Sequence, residues 1–111
     1  MTRTVDVVIV GADAAAIAAT VDAIRKGLRV LVVVRSRRPE VASLLRQVIG
    51  AAAVPSSRQL TVMTGAEVVC ADGVKSIEAI VVRRVRTRRL VGVNASALLV
   101  FEEGERDHRL R

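Results

Sequence analysis

Aromatic side chains are almost missing from this sequence: there is one Phe and neither Trp nor Tyr. The core must therefore be built from Val, Ile, Leu and Ala, a mix that suits buried parallel strands with helices packed closely on them. The same lack leaves few surfaces on which bases could stack, which argues against a nucleic-acid reader. Cysteine occurs once, at Cys70, so an internal disulfide, a C-x-x-C redox pair and a cysteine-rich metal site are all excluded. Cys70 falls on an expected strand, where a lone cysteine acts as a small hydrophobe. The only histidine, His108, lies in a charged tail, so zinc-based or histidine-based catalysis is not expected. Long apolar runs are also missing. Val7 to Val10 is too short for the core of a signal peptide and is followed by Gly11 and Asp13. The Ala-rich stretch after it carries Asp13 and Asp22, so it is no membrane span. A cytoplasmic protein without a membrane partner is expected. There is no P-loop, no Ser–His–Asp set and no spaced pair of acids, and no metal site or catalytic residue is assigned.

What the chain does have is apolar aliphatic residue and arginine. Hydrophobic residues make up 51% of its 111 positions, enough to fill the core of one domain and leave apolar surface over. Residues 1–101 read as a single domain and 102–111 as a charged tail that frays. Val5 to Val10 is a β-branched run ending at a glycine, the mark of a buried strand. Asp13 through Lys26 reads as a helix, with Ile17, Val21 and Ile24 at helical spacing and Gly27 as its stop. Arg29 to Val34 is a second strand, parallel to the first. Pro39 opens another helix, with an apolar face of Val41, Leu44, Leu45, Val48 and Ile49 and with Gly50 near its end. Leu60 to Thr64 is a third strand. Ala66 to Ala71, Ser76 to Val85 and Arg88 to Val93 then read as strands joined by tight turns at Asp72-Gly73 and near Thr87, an antiparallel meander. Ala97 to Phe101 closes the parallel sheet.

This order resembles the nucleotide-binding domains of thioredoxin reductase and the other pyridine nucleotide–disulfide oxidoreductases. The residues that carry the likeness are Val7-Val8-Ile9-Val10-Gly11-Ala12-Asp13-Ala14-Ala15-Ala16 and Gly27-Leu28-Arg29-Val30-Leu31-Val32-Val33. Gly65-Ala66-Glu67-Val68-Val69, the hairpin from Val81 to Leu90, and Ala95 to Phe101 look like that family's β-meander and closing strand. The resemblance implies an α/β, Rossmann-like FAD/NAD(P)-binding domain of three layers, a parallel sheet with an antiparallel β-meander. Members of the family carry one domain for FAD and one for NAD(P)H, whereas this chain holds one. Its arginine-rich loop looks more like the NAD(P)H domain, so FAD is not expected. Any redox activity would be pyridine nucleotide-dependent and would need a partner flavoprotein subunit.

The cofactor-binding residues implied by the resemblance are Gly11, Ala12, Asp13, Ala14 and Ala16 in the first turn and Arg35, Arg37 and Arg38 after the second strand. The fingerprint asks for G-x-G-x-x-G or G-x-G-x-x-A: one glycine for the turn, one for the approach of the pyrophosphate, and a small residue for helix packing. Gly11 fits the first place and Ala16 the third. Asp13 stands where the second glycine belongs. As an N-cap, it fills the anion site of its own helix. Two like charges ~5 Å apart at an effective dielectric near 20 repel by roughly 3 kcal/mol, about a hundredfold in affinity. The second strand ends at Val34 where an acid usually holds the ribose, and arginines follow, which favours the 2′-phosphate of NADP(H). NADP(H), weakly bound, is therefore the expected ligand.

The formal net charge is +7, and only Lys26 and Lys75 among the cations are lysine. Two alternatives stay open. One is an interaction module that kept the fold and lost the cofactor. The other is a nonspecific nucleic-acid binder using Arg83, Arg84, Arg86, Arg88 and Arg89, although no recognition motif supports sequence-specific binding. A homodimer is expected, through the first helix with its small Ala14, Ala15, Ala18 and Ala19 and through the edge of the meander.

Overall fold

The computed structural model describes residues 2–54, 56, 58–72, 79–84 and 88–101. In chain order its elements are β1 (Thr2–Thr4), β2 (Val7–Val10), α1 (Ala14–Arg25), β3 (Val30–Val34) and α2 (Pro39–Ala53), followed by β4 (Leu60–Thr64), β5 (Ala66–Asp72), β6 (Ala79–Arg84), β7 (Leu90–Asn94) and β8 (Ala97–Val100). Two four-stranded sheets form, ordered β4-β3-β2-β8 and β1-β7-β6-β5. Every pairing in the first is parallel. In the second, β5, β6 and β7 are an antiparallel meander, and β1 adds to β7 in parallel.

The strands of the parallel sheet are continuous apolar runs because both faces are covered. Alternation along each strand assigns the sides. Val7 and Ile9 of β2 and Val30, Val32 and Val34 of β3 pack against Ala16, Ala23 and Ile24 of α1 and Leu45 and Ile49 of α2. Val8, Val10, Leu31 and Val33 point the other way, onto Ala66, Val82 and Val93 of the meander. This gives the expected three layers: helices, parallel sheet, meander.

The first strand differs from its sequence reading. Of the expected strand from Val5 to Val10, only Val7–Val10 forms β2 in the parallel sheet, and the preceding Thr2–Thr4 forms β1 in the meander sheet. The chain changes sheets at Val5 and Asp6, where the Val5 N–H donates to the Asn94 carbonyl and the Asp6 N–H to the Arg29 carbonyl, each at 2.9 Å. The Asp6 carboxylate fixes this crossing. It accepts the backbone N–H of Arg29 at 2.7 Å and the Arg29 Nε at 3.4 Å. These bonds, the backbone one foremost, hold the Asp6 carboxyl below its ordinary value.

The helices begin where the sequence places them, but α2 runs on past Gly50 to Ala53. It stops at Val54, which takes a left-handed conformation (φ 46°, ψ 64°) and donates its N–H to the Gly50 carbonyl at 3.0 Å. A β-branched residue in that region is strained. The turns at Asp72-Gly73 and Thr87 and the charged tail 102–111 lie outside the described residues, apart from Asp72, which ends β5. No helix among the described residues is long and apolar enough to cross a membrane.

Candidate functional site

The parallel sheet brings the carboxyl ends of β2, β3 and β8 to one edge, with β2 between the other two. The chain leaves β2 toward β3 on one side, and β8 returns on the other. This is the reversal of strand order at which open α/β sheets form their crevice. The sequence-predicted site residues all lie along this edge.

Gly11 opens the turn after β2 with φ 127°, a conformation that side chains rarely adopt, and its N–H donates to the Val33 carbonyl at 3.0 Å. Ala12 follows, exposed. Asp13 is extended (φ −78°, ψ 179°) and caps α1. Its Oδ1 accepts the Ala16 N–H at 2.8 Å, and its main-chain carbonyl accepts the Ile17 N–H at 3.0 Å. The carboxylate thus takes up one of the amides that a helix N-terminus would otherwise offer to an anion, and it places a negative charge at the positive end of the dipole. Ala14 and Ala15 are exposed on the first turn, while Ala16 is buried against the sheet. Such a small residue suits the close contact of helix and strand. One turn on, the buried Thr20 hydroxyl donates to the Ala16 carbonyl at 2.8 Å and is thereby satisfied.

β3 ends at Val34, buried on the helix side of the sheet. An apolar core side chain therefore stands where a ribose-binding acid would be expected. The loop beyond it separates the three arginines. Arg35 leaves directly from the strand end and is exposed. The Ser36 carbonyl accepts the Gly65 N–H at 2.7 Å, tying the loop to the junction of β4 and β5. The stem of Arg37 crosses Gly65, where φ is +60° and a Cβ would stand 2.9 Å from Arg37 Cγ. Arg38 pairs through Nε with Glu40 Oε1 at 3.3 Å on the exposed first turn of α2. Arg38 would have to exchange this carboxylate partner to hold a phosphate.

Sequence reading assigned no role to Phe101. Its N–H donates to the Val10 carbonyl at 2.8 Å, and its side chain packs on the helix-side core, so the lone aromatic of the chain stands beside the glycine turn. Its rarity and its place at the end of the last apolar strand were the available signals. An apolar groove of about 290 Å³, lined by Ala12, Ile17, Val41, Leu44, Leu45 and Val48, opens between the helices next to the same turn.

The cations of the meander are not equivalent either. Arg83 donates from Nε to Glu67 Oε2 at 3.1 Å and from Nη2 to the same oxygen, across β6 and β5. Arg84, Arg88 and Arg89 are exposed, and Arg86 lies outside the described residues. Cys70 falls on β5, as expected. His108 lies outside the described residues.

No family model matches the chain. No curated protein matches it. Solved structures do. Thioredoxin reductase from Streptococcus pyogenes superposes with a TM-score of 0.67 at 15% identity, over 91% of this chain and 32% of that one. The thioredoxin reductase from Giardia duodenalis gives 0.65 at 13% identity, over 90% and 31%. A geranylgeranyl bacteriochlorophyll reductase-like protein from Thermoplasma acidophilum gives 0.68 at 12% identity, over 96% and 41%. The chain therefore spans about a third of the length of the thioredoxin reductases it resembles. At such identities the likeness establishes the fold: a three-layer, Rossmann-like FAD/NAD(P)-binding fold, as expected from the sequence.

Proposed function

We propose that this chain is a NAD(P)H-binding-type domain of the thioredoxin-reductase-like flavoprotein fold, weak in its grip on the dinucleotide and unable to carry out redox chemistry alone. The observation that carries the reading is the Asp13 carboxylate, bonded to the Ala16 amide at 2.8 Å at the very helix end where a pyrophosphate would dock. The frame for a dinucleotide is kept: Gly11 at φ 127°, the small Ala16 under the helix, and arginines after β3. The two contacts that would confer affinity are altered, at Asp13 and at Val34. The residues present thus fit the outline of a dinucleotide and not its charge. NADP(H) is the form that the arginine loop favours, and FAD is not favoured. Hydride transfer would require a flavin on a partner subunit.

A second reading has the same support from Asp13 and Val34: an interaction module that kept the fold and lost the ligand. Titration of the purified chain with NADPH, NADH, FAD and ADP separates the two. Weak, saturable binding of NADPH, competed by ADP, is expected from the first. No saturation with any of the four supports the second. Tight binding by the unaltered chain contradicts both.

A further inference from the structure

Positive charge is concentrated in two stretches that lie far apart in the chain. Residues 35–38 hold three arginines and residues 83–89 hold five, and neither stretch holds an acid. Together they carry +8 against +7 for the whole chain, so the rest of the chain sums to −1.

The fold brings the described parts of both stretches to one junction. The loop after β3 is tied to Gly65 through the Ser36 carbonyl, and the stem of Arg37 crosses that glycine. Ala66, the next residue, is the partner of Arg84 in the β5–β6 register. The Arg84 N–H donates to the Arg89 carbonyl at 2.9 Å, and the Arg84 carbonyl accepts the Arg88 N–H at 2.7 Å. From Gly65 to Arg84 is thus one peptide step of ~3.8 Å and one strand pairing of ~5 Å. Arg37, Arg84, Arg88 and Arg89 are all exposed. Arg84 stands two residues from the buried Val82, and so on the face of the meander turned toward the parallel sheet. Arg38 and Arg83 are neutralised within the fold by Glu40 and Glu67. No acid among the described residues pairs with Arg37, Arg84 or Arg88. Like charges held as neighbours across a hairpin repel, and an anion laid over them relieves that repulsion.

The kind of anion follows from what the junction has beside its charge. Single-stranded nucleic acid is held on aromatic platforms, and the one aromatic residue, Phe101, packs on the helix-side core. Insertion into an anionic bilayer needs apolar area beside the cations, and Leu90, next to Arg89, is a single exposed leucine. A duplex needs neither. It offers one phosphate charge per ~1.7 Å of its axis, against one per ~3.4 Å along one strand, and can be held through its backbone alone.

We propose that the junction of the β3–α2 loop with the β6–β7 hairpin docks the phosphate backbone of double-helical nucleic acid, without base readout, with Arg37, Arg84 and Arg88 at its centre. This inference does not rest on the dinucleotide reading. Fluorescence anisotropy of a labelled duplex of about 20 base pairs, titrated with the full chain between about 25 and 150 mM salt, counts the contacts. Three to five of them give a slope of log K on log salt of about −3 to −4.5. Arg37→Gln, which keeps a stem on Gly65, and Arg84→Gln should each make the slope shallower by about 0.9 and raise the dissociation constant several-fold. Arg46→Gln, on the exposed side of α2, removes the same charge elsewhere and should leave the slope unchanged. Equal losses in all three variants would reduce the effect to net charge and overturn the proposal. A loss with Arg84→Gln and none with Arg37→Gln would overturn the joining of the two stretches. Absence of binding at the lowest salt would overturn it outright, as would tighter binding of the corresponding single strand or of vesicles with about 30% phosphatidylserine. If circular dichroism shows Arg37→Gln or Arg84→Gln to be unfolded, Arg35→Gln or Arg88→Gln from the same stretch takes its place with the same expected result.

Discussion

At the scale of single residues, three positions carry the account. Asp13 caps α1 and places a charge in the anion position, and its substitution is the decisive test taken up below. Arg35, Arg37 and Arg38 follow the end of β3, with Arg38 paired with Glu40 and the stem of Arg37 on Gly65. In a chain that binds the nucleotide, NADPH should therefore be preferred over NADH, and Arg35→Ala should remove most of that preference. Isothermal titration of both nucleotides checks this, and equal affinities would make the loop a charged surface only. Asp6 acts on stability instead. Its folded-state pKa is lowered, so its contribution is fully present above the ordinary value of 3.8 and is lost as pH falls through the lower folded value. Both side chains of the Asp6–Arg29 pair are partly exposed, so most of the effect belongs to the backbone hydrogen bond. Asp6→Ala should cost about 1 kcal/mol at neutral pH. Denaturant midpoints of the two proteins should converge in acid; a constant gap down to pH about 2 would show that the carboxylate charge plays no part.

At the scale of elements, the sharpest local conflict is the end of α2. Val54 holds a left-handed conformation while 81% exposed, so no packing compensates the strain. Val54→Asn should stabilise the chain by about 1 kcal/mol, a rise in Tm of roughly 4–8 °C for a domain of this size. An unchanged or lower Tm by calorimetry would contradict the strain argument. The same helix shows what a sequence reveals and what it hides. Its start, marked by Pro39, and its apolar face, including Leu45 and Ile49, were legible because helical spacing is local. Its end was not, since Gly50 reads as a stop but faces open space in the folded chain and is carried through. The strands β3 and β4 were legible as β-branched runs. The start of β2 at Val7 was not, because the change of sheet at Val5 and Asp6 is set by Asn94 and Arg29, far away in the chain. In the site, Gly11, Asp13 and Val34 could be read from the fingerprint, whereas the crossing of Arg37 over Gly65 and the place of Phe101 depend on pairings between distant segments.

At the scale of the whole molecule, aliphatic residues build both core layers. The net charge of +7 should give weak DNA binding without sequence preference that falls steeply with salt. The pairing of Arg83 with Glu67 lowers the cationic density of the meander further. Filter binding or anisotropy at physiological salt checks this, and submicromolar, sequence-selective binding would overturn the order of the functional readings. The central claim is that one carboxylate at the head of α1 separates a dinucleotide frame from a dinucleotide site. Replacing Asp13 by glycine removes the charge and supplies the residue that the fingerprint expects, at a capping cost of only a few tenths of a kcal/mol. The most direct measurement is the NADPH dissociation constant of the Asp13→Gly chain against that of the unaltered chain, by calorimetry or nucleotide fluorescence. The account predicts a gain of about ten- to a hundredfold, the size of the removed repulsion. An Asp13→Gly chain that folds as before and binds NADPH no better would contradict it.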